Sequence, residues 1–261
     1  MSRLQCALLV TVAAIGFASV ATAADMPVKA RPMPVAAVYN WTGFYVGGNV
    51  GYSWGNSDTD TFFNNAPFFS ITHPDALRLN GIVGGGQVGF NWQATPTWVF
   101  GVEADWQASD EKASGSVSDP FAVPFVSVGT VTTSYEAKIS SFGTLRGRVG
   151  YTWDRLLVYG TAGLAYGQVK LSGTTNESGV SVGGPFNLST PFSSSESNTG
   201  WVAGAGIEGA IVNSWSWKAE YLYVDLGSLD VTTPNLNFGG TNTVHTKFTD
   251  NIIRGGINYR F

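Results

Sequence analysis

Eight stretches of this chain alternate with a period of two, and the alternation confines charge to one side. They are 44–54, 81–92, 98–106, 143–153, 156–166, 201–211, 215–223 and 252–261. The phase that holds Phe44, Ile82, Trp98, Leu145, Val158, Trp201, Trp217 and Phe261 contains no Asp, Glu, Lys or Arg in any of the eight. The opposite phase carries Glu103, Asp105, Arg146, Arg148, Glu208, Lys218, Glu220, Arg254 and Arg260. Successive side chains of a strand point to opposite faces, so each stretch has one face free of charge. A charge facing lipid at mid-depth costs about 2–4 kcal/mol, and a face that excludes charge in every strand is what a lipid contact requires.

The stretches are about as long as the ~9–11 residues with which a tilted strand crosses a bilayer. Their connections fall into two classes. Residues 93–97, 154–155 and 212–214 are short, whereas 55–80, 107–142, 167–200 and 224–251 are long. Short turns on one side and long loops on the other are the outer-membrane arrangement, with the short side periplasmic. The expected fold is all-β, an eight-stranded antiparallel up-and-down transmembrane β-barrel over 41–261, in the cell outer membrane. The tryptophans agree. Trp41, Trp92, Trp98, Trp153, Trp215 and Trp217 fall near the short-turn side, and Trp54, Trp106 and Trp201 near the long-loop side. An indole favours the interface, where its ring meets acyl chains and its N–H meets water.

Charged residues make up 12% of the chain, about half the ~25% usual in soluble domains. No run of about 20 apolar residues follows Ala24, so a bilayer is entered by strands or not at all. Ahead of the barrel, Arg3, the uncharged core from Leu8 to Val20 and Ala21-Thr22-Ala23 read as a signal peptide over 1–23. Residues 24–40, with Pro27, Pro32 and Pro34, read as a flexible periplasmic segment. Cys6 is the only cysteine, so the mature chain is expected to have no disulfide, thiol nucleophile or thiolate metal site. A formal net charge of −4 offers no basic patch for nucleic acid.

Two glycine runs, 84–89 and 204–209, have dinucleotide-fingerprint spacing but sit inside alternating strands, with no helix to receive a phosphate. His73 and His245 lie in different long connections without companion ligands. No catalytic, cofactor or metal residues are expected.

The nine inner-face charges are the informative set. Four acids and five bases nearly cancel, and an eight-stranded barrel is only wide enough for side chains to fill. They are expected to pair across the lumen as a plug, with Tyr45 filling beside them. A narrow water-filled path is the alternative. In the long connections acids outnumber bases, twelve to five, and most of this charge, Glu111 and Asp250 included, is expected to be solvated. The same connections hold Phe62, Phe63, Phe68, Phe69, Phe121, Phe125, Phe186 and Phe192, which either pack together or present a binding surface.

The lead-in DMPVKARPMP, the opening YNWTGFYVGGNVGYSWG (39–55), GLAYG (163–167), KAEYLYVDLG (218–227) and the ending GINYRF resemble the OmpA-type β-barrels. Within these the chain is most similar to the alphaproteobacterial porin-family, or outer-membrane immunogenic, proteins. The resemblance implies an eight-stranded barrel whose terminal aromatic is read by the barrel-assembly machinery, which places Phe261, with Tyr259, as an assembly signal. The chain is expected to depart from the OmpA pattern in having no C-terminal peptidoglycan-binding domain, so tethering to the cell wall is not carried over. The expected role is a structural barrel supporting envelope integrity, set in outer-membrane lipid and lipopolysaccharide, with surface loops whose ligand, if any, is unknown. A small porin for ions or small solutes, and an adhesin or surface receptor, are the alternatives.

Overall fold

A computed structural model describes residues 39–65, 69–123, 125–234 and 241–261. The expected signal peptide and residues 24–38 of the lead-in lie outside the described residues, as does Phe68. Eight strands follow in order: β1 (Gly43–Asn65), β2 (Phe69–Gln93), β3 (Trp98–Val123), β4 (Ser127–Trp153), β5 (Leu156–Ser181), β6 (Gly184–Ala210), β7 (Trp215–Pro234) and β8 (Thr241–Arg260). Each pairs antiparallel with the next, and β8 returns to β1 to close the barrel. The seam is finished by the Phe261 N–H, which donates to the Phe44 carbonyl at 2.9 Å.

The charge-free phase faces outward. Phe44, Ile82, Leu145, Leu164 and Ile253 are exposed on it. Trp92, Trp98, Trp153 and Trp215 ring one end and Trp54, Trp106, Tyr166 and Trp201 the other, all exposed. Trp41 is the exception to the interfacial reading: it is 1% exposed and packs inside the barrel.

The four long connections are not loops. The strands run on through them to lengths of 20 to 27 residues, so strand structure continues beyond the outer aromatic ring. This extracellular half has its own apolar filling. Tyr135, Ala137 and Ile139 of β4, Val169 and Leu171 of β5, Leu229 of β7, and Val244 and Phe248 of β8 are buried together. Two irregularities disguise the continuity. In β4 the inward residues are even-numbered up to Phe142 and odd-numbered from Ile139, because the register shifts at Ser140. In β7 the inward phase changes between Leu226 and Leu229, where Gly227 takes φ +76° at a second shift. A bulge inserts one residue into one strand, and with a period of two that turns every later side chain to the other face.

The ladder also parts on two sides. β2 and β3 are paired up to Asn80–Lys112, and β6 and β7 up to Trp201–Asp225. Beyond those points β3–β6 form one four-stranded leaf and β7, β8, β1 and β2 the other. The free edges carry Pro120 on β3 and Pro185 and Pro191 on β6. A proline supplies no ladder N–H, so these edges resist pairing with another chain.

Candidate functional site

The inward faces stack in tiers through the membrane-spanning half. At the periplasmic end Trp41, Val99, Leu157 and Tyr159 form a floor. The Trp41 indole N–H donates to Thr152 Oγ1 at 2.9 Å, and its backbone N–H to Gln93 Oε1 at 2.8 Å. The chain before β1 thereby folds back beneath the lumen.

Above the floor lies an ion-paired tier. Arg146 of β4 spans three carboxylates: its guanidinium donates to Glu103, to Asp105 at 2.8 Å and to Glu220 at 2.9 Å. Arg254 of β8 reaches Asp105 and Glu220, each at 2.8 Å. Lys218 donates to Glu103 at 2.9 Å. Arg148 donates to Glu208 at 2.7 Å and to the Tyr45 hydroxyl at 3.0 Å, and Tyr45 passes the contact to Glu103 at 2.6 Å. The Arg148 guanidinium also sits 4.0 Å from the centre of the Tyr159 ring. Polar neighbours extend the set, with Ser216 and Asn258 donating to Glu208 at 2.6 and 3.0 Å, and Gln87 to Asn258 at 2.6 Å.

Eight of the nine sequence-selected charges meet here, every one buried, and they balance four against four. Arg260 does not join them. It is half-buried at the periplasmic mouth, with its guanidinium 4.5 Å from the Tyr39 ring centre. Two residues above the ions along β7 and β8, Leu222 and Ile252 begin a mainly apolar tier with Val83, Phe142, Ala165 and Val202, in which Gln107 of β3 is also buried. Buried charges persist where they are paired and hydrogen-bonded, and this tier meets that condition from four directions at Glu103 alone.

Sequence reasoning missed one polar cluster. Glu111 and Asp250 are not solvated loop residues; they are 0% and 4% exposed, just beyond the outer aromatic ring. Ser53 donates to Asp250, Ser109 donates to Glu111 Oε1 at 2.8 Å, and the two carboxyls hydrogen-bond each other. Glu111 approaches because Gly81 lies between: a Cβ there would stand 2.8 Å from the Glu111 nitrogen. Burial first, and then the neighbouring Asp250 charge, hold Glu111 at about 8; burial holds Asp250 at about 6. Both keep the inward phase of their strands, Glu111 with Glu103, Asp105 and Gln107 on β3 and Asp250 with Ile252 and Arg254 on β8, although the β3–β4 register shifts between Ala108 and Glu111.

Two Gly-x-Ser-x-Gly spacings, where sequence reasoning counted none, occur at 51–55 and 179–183, but neither opens a helix, and their serines bond Asp250 and the Gly184 carbonyl. His245 pairs with Asp230 on an exposed face. Phe121 and Phe192 pack inside the extracellular half, whereas Phe125 projects from it. Tyr259 and Phe261 lie on the outward face at the periplasmic end, their rings edge-to-face at 5.3 Å.

The comparisons with known proteins agree with this architecture. The family model described as "Outer membrane protein beta-barrel domain" matches residues 10–261. The "31 kDa outer-membrane immunogenic protein" of Brucella melitensis is 36% identical over 271 residues, covering 97% of this chain and 98% of the relative. The "22 kDa outer membrane protein" of Rhizobium leguminosarum bv. viciae is 32% identical over 89% of this chain and 83% of its own. The "25 kDa outer-membrane immunogenic protein" of Brucella abortus is 29% identical over the whole of both chains. These names describe outer-membrane proteins and no enzymatic activity. With its closed eight-stranded ring, its charge-free outer face and these matches, the chain belongs to the outer-membrane β-barrel protein family and to its outer-membrane immunogenic branch.

Proposed function

We propose that the chain is a structural, non-conducting barrel that contributes to envelope integrity and carries a rigid extracellular extension, without enzymatic activity. The observation that supports this reading is the filled lumen, where a floor built on Trp41, a neutral layer of eight buried, paired charges and a mainly apolar layer follow one another. Ions crossing it would have to part charge pairs that have no water to replace them, which is costly in a low-dielectric interior. Outer-membrane lipid and lipopolysaccharide are the partners of the outward face. The barrel-assembly machinery is proposed to read Tyr259 and Phe261. Recordings from the purified protein in a planar bilayer test the reading: the expectation is rare, small openings. Large, steady currents would replace it with a small porin.

A further inference from the structure

The two hairpins farthest from the membrane are joined. The Val182 N–H in the β5–β6 turn donates to the Val126 carbonyl in the β3–β4 turn at 3.1 Å, so the tips form one platform. From Trp106 at the outer ring, β3 runs on to Val123, roughly 55 Å of strand at ~3.3 Å per residue. What this platform shows to solvent is apolar. Phe125 is 99% exposed and Val182 85%, flanked by exposed Val126, Val128 and Val180. Phe125 holds φ 62°, a left-handed conformation unfavourable for a bulky residue, and spends that strain on pointing its ring away from the protein. The other turn is pinned by Ser181, which accepts from the Gly183 N–H and donates to the Gly184 carbonyl, leaving Val182 outside.

Charge is missing from the tip altogether. No Asp, Glu, Lys, Arg or His occurs from 120 through 135 or from 178 through 195, although acids outnumber bases across the rest of the extracellular half. A charged partner would lose hydration here and find no counter-charge. Five apolar side chains at a hairpin tip also fall short of the ~800 Å² per partner that a stable protein–protein contact buries. A fluid lipid surface requires neither counter-charge nor a complementary shape, only apolar side chains able to sink to the headgroup–acyl boundary.

We propose that the platform of Phe125, Val126, Val128, Val180 and Val182 inserts into an apposed zwitterionic lipid bilayer. The barrel thereby contacts a second membrane through its tip, a role beyond its structural one in its own membrane. The test uses the full protein in nanodiscs, mixed with phosphatidylcholine vesicles and separated by flotation, with empty nanodiscs as the baseline. Wild type is expected to float with the vesicles. A Phe125→Asn/Val182→Thr variant, whose asparagine tolerates the left-handed backbone, is expected to lose at least fivefold of that recovery while keeping its heat-shifted mobility. Equal flotation of the two proteins overturns the proposal. So does wild-type binding that needs vesicles carrying membrane proteins and disappears when those are digested, because it assigns the tip to a protein partner.

Discussion

Arg254 and Asp105 meet at 2.8 Å across the lumen although 149 residues separate them. The pair links β8 to β3, which are not neighbours in the ring, and Arg146 of β4 shares the same Asp105 oxygen. The tier therefore ties opposite walls of the barrel together and is expected to respond as a unit.

Asp105→Asn removes the negative charge that Arg254 and Arg146 share. The expected loss is about 3 kcal/mol, because a buried charge is stranded rather than a contact merely deleted. Adding Arg254→Met should recover part of it. Urea unfolding of the refolded protein, followed by heat-shifted mobility, measures the cycle, and losses that simply add would show that the residues act independently.

Trp41→Ala empties the periplasmic floor. A stability loss of about 3–5 kcal/mol is expected, as for other large-to-small changes at buried aromatic sites. Bilayer currents should stay at the wild-type level, since the ion-paired and apolar tiers remain. A variant that conducts freely would make Trp41 the seal.

The Glu111–Asp250 pair gives the extracellular half a pH dependence. In the folded protein Glu111 is held at about 8 and Asp250 at about 6, against ordinary values of 4.5 and 3.8. At these two groups the folded state therefore binds more protons than the unfolded chain, so their contribution to stability is full below about pH 4, falls as pH rises towards 8, and is lost above it. Along the inward faces the nearest charges are Asp105 and Arg254, already bound to each other; Arg78 and Lys112 are exposed. Glu111→Gln should flatten the pH 6–8 part of the curve and stabilise the protein at pH 9 by a few kcal/mol. Urea midpoints between pH 5 and 9 check the slope; a stability that rises over this range would refute the assignment.

Inserting one alanine between Ala137 and Lys138 of β4 turns Ala137, Tyr135 and Val131 outward, whereas deleting Ser140 only removes the bulge and leaves them inward. Each large apolar side chain so exposed forfeits up to ~1.5–3 kcal/mol. In the insertion variant the extracellular half should become sensitive to protease while the membrane half keeps its heat-shifted mobility. An insertion variant as resistant as wild type would mean that the strand re-registers at no cost.

Phe261→Ala tests the proposed assembly signal. The ring is 76% exposed on the lipid face, so it contributes only part of the ~1.5–3 kcal/mol of full burial. The variant should refold in detergent with nearly normal mobility, yet reach the outer membrane of cells in reduced amount. Normal accumulation in cells, or failure to refold in vitro, contradicts this division.

The spanning half was legible because every strand keeps one phase from the periplasmic ring to the outer ring, and lipid forbids exceptions on one face. The lumen charges followed from the same phase, apart from Arg260, which alternates correctly but lies so near the strand end that it faces the mouth and Tyr39. Trp41 was read from its residue type, and only the folded chain reveals that the segment before β1 turns inward. The extracellular half was not legible because β4 and β7 break phase at Ser140 and Gly227, and because the other strands, though they keep their phase, are rich in Ser, Thr and Asn and give too little apolar contrast to be told from loop. That error carried Glu111 and Asp250 with it, since a carboxylate in a loop is in water and the same carboxylate on an inward strand position is not.

The paired construction of the extracellular half also restricts how it can diverge. A loop absorbs an insertion of any length, but in these hairpins one added residue on a single arm must be taken up as a bulge, as at Ser140, or it turns everything beyond it inside out. Change is therefore channelled into alternate outward residues, into the turns themselves, and into insertions matched on both arms of a hairpin. A surface exposed to antibodies would vary here as a pattern of every second residue on a conserved lattice.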